Sequence, residues 1–190
     1  MGAGDYVTLN FMKALLLNGS PALNSHSGAL LRHIAARLHE AGCDTAVVDL
    51  RELALPVNDP LYHDAPQQHP DQRVRDFAAQ VAQAQVIVLG TPLYHGSFSG
   101  LLKSALDHLG DDGFKDKAVG LASNSAGMRV SQQGAQQLAQ VARTLYGRVS
   151  NRLMGTCKAD YAQENGQLVL ASDEIIARTK IFVDELLALA

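Results

Sequence analysis

The residues best suited to chemistry in this chain fall in three short loops rich in small and polar residues. The first is Asn18-Gly19-Ser20-Pro21-Ala22-Leu23-Asn24-Ser25-His26-Ser27, which runs straight into a helix start. A helix N-terminus presents unpaired N–H groups and a partial positive charge, so it attracts anions. The hydroxyls of Ser20, Ser25 and Ser27 add donors, and the set suits a single phosphomonoester. The same residues also read as a turn followed by an ordinary serine cap. No GxxxxGK[ST] is present, so a nucleoside triphosphate with its lysine and magnesium is not expected. The absence of GxGxxG likewise removes the dinucleotide fingerprint.

The second loop is Thr91-Pro92-Leu93-Tyr94-His95-Gly96-Ser97-Phe98-Ser99-Gly100. Pro92 stiffens the exit from an apolar run, and Gly96 and Gly100 allow tight turns. Tyr94 is placed either to pack beside a planar ring or merely to cover a helix end. The third loop, Ser123-Asn124-Ser125-Ala126-Gly127-Met128-Arg129, could line the edge of a flat heterocycle with its N–H groups, or simply be solvated. No triad or paired carboxylates offer a side-chain nucleophile or general base. The seven histidines form no HxxxH or HExxH pair, and Cys43 and Cys157 form no CxxC, so neither a metal site nor a disulfide scaffold is expected. Both cysteines read as small apolar residues. Lys103 and Asp107 have helical i,i+4 spacing and read as a surface ion pair.

Alternating strands and helices position these loops. Apolar runs at 13–18, 45–50, 86–90, 118–122 and within 149–155 predict five strands. Between them, spacing and caps predict helices over 27–41, 71–83, 98–109 and 131–146, with a last helix capped by Ser172 or Asp173. A long proline-bearing connection reaches about Pro70, and Asn165-Gly166 marks a small hairpin or edge extension. Strands that read as apolar on both faces, separated by helical crossovers, imply a parallel sheet with helices on both sides. The expected architecture is α/β, three-layer and doubly wound, with a five-stranded parallel sheet in the flavodoxin-like order 2-1-3-4-5. The three loops then meet at the switch point outside the carboxyl ends of the strands.

Composition agrees and excludes alternatives. The chain has 190 residues, 47% hydrophobic and 18% charged, with no Trp and a formal net charge of −3. That length gives a domain able to bury a core without disulfide or metal. The weakly acidic balance excludes a nucleic-acid or polybasic membrane-surface binder, and no apolar run reaches membrane-spanning length. Residues 1–11 read as a floppy leader rather than a secretory signal, and 12–190 as one domain; the expected compartment is the cytoplasm.

Taken together, LLLNGSPALNSHSGALL, ELALPVND and above all VIVLGTPLYHGSFSGLLKSALDHL resemble the NAD(P)H-dependent FMN reductases of flavodoxin-like fold. The P-x-Y-x-x-S/T-x-x-G-x-L-K-x-x-x-D pattern carries the likeness, which covers residues 13 to about 150. The resemblance implies FMN as cofactor and NAD(P)H as co-substrate, with hydride passing to the flavin and on to a small-molecule acceptor such as a flavin, quinone or azo dye. It implies phosphate ligands at Ser20, Ser25 and Ser27, with the His26 backbone beside them. Flavin contacts are implied at Pro92, Leu93, Tyr94 and His95, and at Ser123, Asn124, Ser125 and Gly127. No catalytic side chain is implied, because the flavin carries the chemistry. Two departures stand out: Ala22 occupies a position where many members have Arg, and Leu93-Tyr94-His95 replaces E-Y-N, a variant that looks more like the alkanesulfonate-associated flavin reductases. Arg129 is a candidate for the NADPH phosphate or for charge at the reduced flavin, a solvated Arg being the ordinary alternative. In this family, residues such as Leu101 and Phe98 pack a dimer, so a homodimer or homotetramer is expected. A flavodoxin-like electron carrier and a non-enzymatic regulator that lost its flavin are the competing readings.

Overall fold

In the computed structural model, residues 11–190 are described, apart from the side chain of Arg129. The leader expected at 1–11 therefore lies outside the described residues except for Phe11. The elements run β1 (Lys13–Asn18), α1 (His26–Glu40), β2 (Asp44–Asp49), α2 (Leu50–Leu53), α3 (Gln72–Gln83), β3 (Val86–Pro92), α4 (Gly100–Leu106), β4 (Ala118–Ser125), α5 (Gln133–Thr144), β5 (Arg148–Cys157), β6 (Tyr161–Glu164), β7 (Gln167–Leu170) and α6 (Asp173–Leu189). The main sheet is five-stranded and parallel in the order β2-β1-β3-β4-β5.

The alternation of side chains along each strand splits the core into two layers. Leu15 and Leu17 of β1, Ile87 and Leu89 of β3, and Val119 and Leu121 of β4 face Phe77, Leu102 and Leu138 from α3, α4 and α5. Leu16, Val88 and Ala122 face the other way, onto Leu30, Leu31 and Ile34 of α1 and Phe182 and Leu186 of α6. The helix starts follow the cap rule: Ser25, Asp71, Ser99 and Ser172 each accept a backbone N–H from the first turn of the helix they open.

Several expectations are corrected. Burial on both faces holds for β1, β3 and β4 but not for β2, an edge strand on which Asp44, Ala46 and Val47 are exposed. β4 continues to Ser125, so half of the third loop is strand. β5 is longer than expected because it bulges: its register on β4 jumps from Val119↔Val149 to Leu121↔Leu153. Glu185 of α6 ties the bulge, accepting from Ser150 Oγ at 2.8 Å and pairing with Arg152 at 2.8 Å. Those partners, the Ser150 hydroxyl first, hold its carboxyl below the ordinary glutamate range. Phe98 and Leu101 are half-buried against the chain's own core, so less of the α4 face is left open than its leucine count suggests. Lys103 and Asp107 form the expected half-exposed pair.

Candidate functional site

The carboxyl ends of β1, β3 and β4 and the start of α1 enclose a cleft of about 380 Å³, within the range of roughly 300–1,000 Å³ typical of small-molecule sites. A wider hollow of about 530 Å³, lined by Phe11, Met12, Lys13, Gln83 and Gln85, sits at the opposite end of β1. In open parallel sheets the carboxyl ends are where ligands bind.

One wall is the loop between β1 and α1. Gly19 fixes its path, since its N–H donates to Gly90 O at 2.8 Å and a Cβ there would lie 2.6 Å from Leu102 Cβ. Ser20 is 2% exposed; its N–H donates to Asn18 Oδ1 and its hydroxyl accepts from Ala22 N–H, both at 3.2 Å. Ser25 caps α1 by accepting from Gly28 N–H at 3.0 Å. The N–H groups of His26 and Ser27 have no acceptor among the described residues, so two donors of a 15-residue helix open on the cleft.

The wall is braced from behind. Asn24 donates to Gly166 O and accepts from Leu168 N–H, both at 3.2 Å, fastening the loop to the β6–β7 hairpin. The Tyr161 ring of β6 meets the His26 ring edge-on at 4.8 Å between centroids. The Tyr161 hydroxyl bonds Thr156 Oγ1 at 2.8 Å, which also accepts from Asn124 Nδ2 at 3.1 Å. Burial pushes the Tyr161 phenol far above its ordinary range, so it stays neutral. His26 is shifted down, by burial first and Lys158 second. One chain of contacts thus joins the α1 end to the end of β4.

The facing walls are Pro92, Leu93 and Tyr94 on one side and Asn124, Ser125 and Ala126 on the other. They are stitched together by Leu93 N–H donating to Asn124 O at 2.7 Å. Beyond this the chain makes a two-residue turn, Tyr94 and Ser97 exchanging backbone bonds at 2.8 and 3.0 Å. His95 and Gly96 at the tip have φ of 51° and 79°, as primed hairpin turns require.

Of the residues expected here, Ser20, Ser25, His26, Ser27, Pro92, Leu93, Tyr94, Asn124 and Ser125 line the one cleft. His95, Ser123 and Gly127 do not. His95 is the exposed turn tip. Ser123 is fully buried, its hydroxyl donating to Ser131 O. Gly127 lies just past the lining, its carbonyl accepting from Ser125 Oγ. The side chain of Arg129 lies outside the described residues. Sequence reasoning missed Asn24 as a lining residue and the supporting Ser99, which donates to Gly19 O at 2.5 Å. Ser99 sits inside the diagnostic motif and before a helix, a signal that could have found it. Asn24 bonds residues more than 140 positions away and carried no such signal.

The family model described as NADPH-dependent FMN reductase matches residues 12–157. The chain belongs to this family. It is therefore an oxidoreductase that uses FMN and NAD(P)H. The FMN-dependent NADPH-azoreductase of Staphylococcus haemolyticus is 35% identical over 178 residues, 93% of this chain and 94% of that protein. Among solved structures, an apo NADH:FMN oxidoreductase superposes with a TM-score of 0.76 at 18% identity, covering 94% of this chain and 90% of that one. The flavodoxin of Streptococcus pneumoniae TIGR4 gives 0.63 at 13% identity, covering 94% and 99%. These two likenesses carry the fold.

Proposed function

We propose that the cleft holds FMN and that the chain passes electrons from NAD(P)H through it to a small-molecule acceptor, an azo compound among them. The observation that carries the placement is the pair of open N–H groups at His26 and Ser27, set among the Ser20 and Ser25 hydroxyls. No carboxylate lines the cleft to repel an anion. Ser20, Ser25 and the N–H groups of His26 and Ser27 would hold the phosphate, and Pro92-Leu93-Tyr94 and Asn124-Ser125-Ala126 would hold the flat ring.

Bound FMN supplies the hydride-accepting centre. The protein supplies position and polarity. Backbone N–H groups at residues 124–127 would offer donors to the edge of a bound ring, as preorganised donors do in a partly dry site. Tyr94 covers one side of the ring. His95, Ser123 and Gly127 act behind these contacts as turn tip, buried brace and loop partner. The name of the 35%-identical relative supports NADPH as donor and an azo acceptor. The partly exposed Phe98 and Leu101, with Val57 at 88% exposure in the connection between α2 and α3, support a homodimer or homotetramer. No helix among the described residues is long and apolar enough to cross a membrane, and we place the protein in the cytoplasm.

Titration of FMN fluorescence against the protein, followed by NADPH oxidation with and without an azo dye, tests this reading. Saturable quenching and dye-dependent NADPH consumption are expected. A folded protein that neither quenches FMN nor oxidises NADPH when FMN is supplied would overturn it.

A further inference from the structure

Among the described residues, no Lys or Arg side chain lines the cleft. His26 is the one described lining side chain able to become positive near neutral pH. It occupies the first position of α1, beside the open N–H groups. Neither of its ring nitrogens has a hydrogen-bond partner among the described residues, and its ring is held against Tyr161 at 4.8 Å. The charged and titratable groups that face it are Lys158, in the turn after β5, and Tyr161 of β6. Neither is a carboxylate that would hold a proton on the imidazole, and burial first and Lys158 second push its pKa below the ordinary histidine value. A phosphate at the same helix end would set a negative charge beside the ring and would favour its charged form.

We propose that the His26 imidazole is a conditional cation for the phosphate of FMN, taking a proton from solvent as the phosphomonoester docks. The proposal rests on the cleft being the FMN site. It predicts that acid strengthens binding of FMN and leaves binding of riboflavin, which lacks the phosphate, unaltered. FMN's own phosphate works in the opposite sense, since its second ionisation, near pH 6 as in other phosphomonoesters, makes the ligand less charged in acid. The variant His26→Gln, which keeps a polar side chain and the backbone N–H, supplies the baseline.

The test is fluorescence titration of wild type and His26→Gln with FMN and with riboflavin at pH 6, 7 and 8. Calorimetry of FMN binding in two buffers of different ionisation enthalpy accompanies it. The wild-type-to-variant ratio of FMN affinity is expected to rise about three- to fivefold from pH 8 to pH 6, the part of the tenfold limit for a one-unit rise in the histidine pKa that falls within this window. The same ratio for riboflavin stays flat, and calorimetry shows proton uptake with wild type that the variant lacks. Parallel FMN profiles for the two proteins, with binding intact, would overturn the proposal and leave the FMN site standing. Absence of FMN binding at every pH removes both. Should the variant fold poorly, the His26 ring can be titrated in wild type by NMR with and without FMN. An upward shift on binding supports the proposal, and an unchanged midpoint overturns it.

Discussion

The two sides of the cleft are built on opposite plans. The α1 side is buried and braced: Ser20, Ser25 and Ser27 are 2%, 6% and 3% exposed, Gly19 is packed against Leu102, and Asn24 is fastened to a hairpin from the far end of the chain. The Tyr94 side projects. Tyr94 is 46% exposed, its turn is held at the base by Ser99 N–H on Thr91 Oγ1 at 2.9 Å, and the tip is held by Gln137, which donates to Gly96 O at 2.8 Å. A small anion is worth a rigid seat, because donors ordered in advance cost nothing further at binding. A broad flat ring needs only a surface to lie on. With FMN placed as proposed, affinity for the phosphate would be written into folding stability, whereas affinity for the ring would be nearly independent of it.

The strongest way to break this comparison is to overfill the braced side. Gly19→Val would place side-chain carbon where even a Cβ lies 2.6 Å from Leu102 Cβ and 3.1 Å from Gly90 O. Overpacking of this kind costs about 1–3 kcal/mol, and urea unfolding should show it together with loss of FMN quenching. Full stability and normal FMN affinity in this variant would mean the seat is not rigid. Next comes Asn24→Ala. It removes two hydrogen bonds at a partly solvated position, for about 0.5–1.5 kcal/mol. FMN affinity should fall while riboflavin affinity holds, because only the phosphate seat is loosened. On the projecting side, Tyr94→Ala should leave stability within about 0.5 kcal/mol, yet weaken FMN and riboflavin alike by about 0.5–1.5 kcal/mol of aromatic contact. If Tyr94→Ala lowered the urea midpoint as much as Asn24→Ala, the two sides would not differ in kind.

The same contrast governs what could be read from sequence. Local signals carried the braced side well. The apolar helical stripe after a run of serines marks a helix from 27, one residue inside the His26 start that Ser25 caps, and the run Lys13 to Asn18 ending at Gly19-Ser20-Pro21 marks the strand exit. Strand order followed from alternation and from the way parallel crossovers must wind. Non-local facts were hidden. Ser123-Asn124-Ser125 has the composition of a loop but lies in strand, because Thr91 and Pro92 pair with it on one side and Gly155, Thr156 and Cys157 on the other. β2 has the same apolar look as β1, but its exposure depends on being an edge. His95 was expected beside the ring, and Gly96 announced a turn. That the turn would also place His95 at a positive φ, out at the tip, depends on the Tyr94–Ser97 pairing.

The smallest expected effect lies in the pH dependence of the braced side. His26 and His33 both sit on α1, and both are shifted below the ordinary histidine value of 6.5. Burial is the first cause for each, followed by Lys158 for His26 and by Arg37 for His33, with Glu40 pulling His33 partly back. Both rings are therefore harder to protonate folded than unfolded. Their contribution to stability is complete above the unfolded value and is lost as the pH falls through the folded values. Unfolding curves should shift toward instability from pH 7.5 to 5.5, modestly, since both rings are only partly buried. His33→Gln should remove its share whether or not FMN is present. His26→Gln should remove a share in the free protein, whereas bound FMN should abolish or reverse the acid sensitivity that His26 contributes. A melt series in which FMN protects wild type and His26→Gln with the same pH dependence would mean that the braced side binds its phosphate without moving a proton on His26.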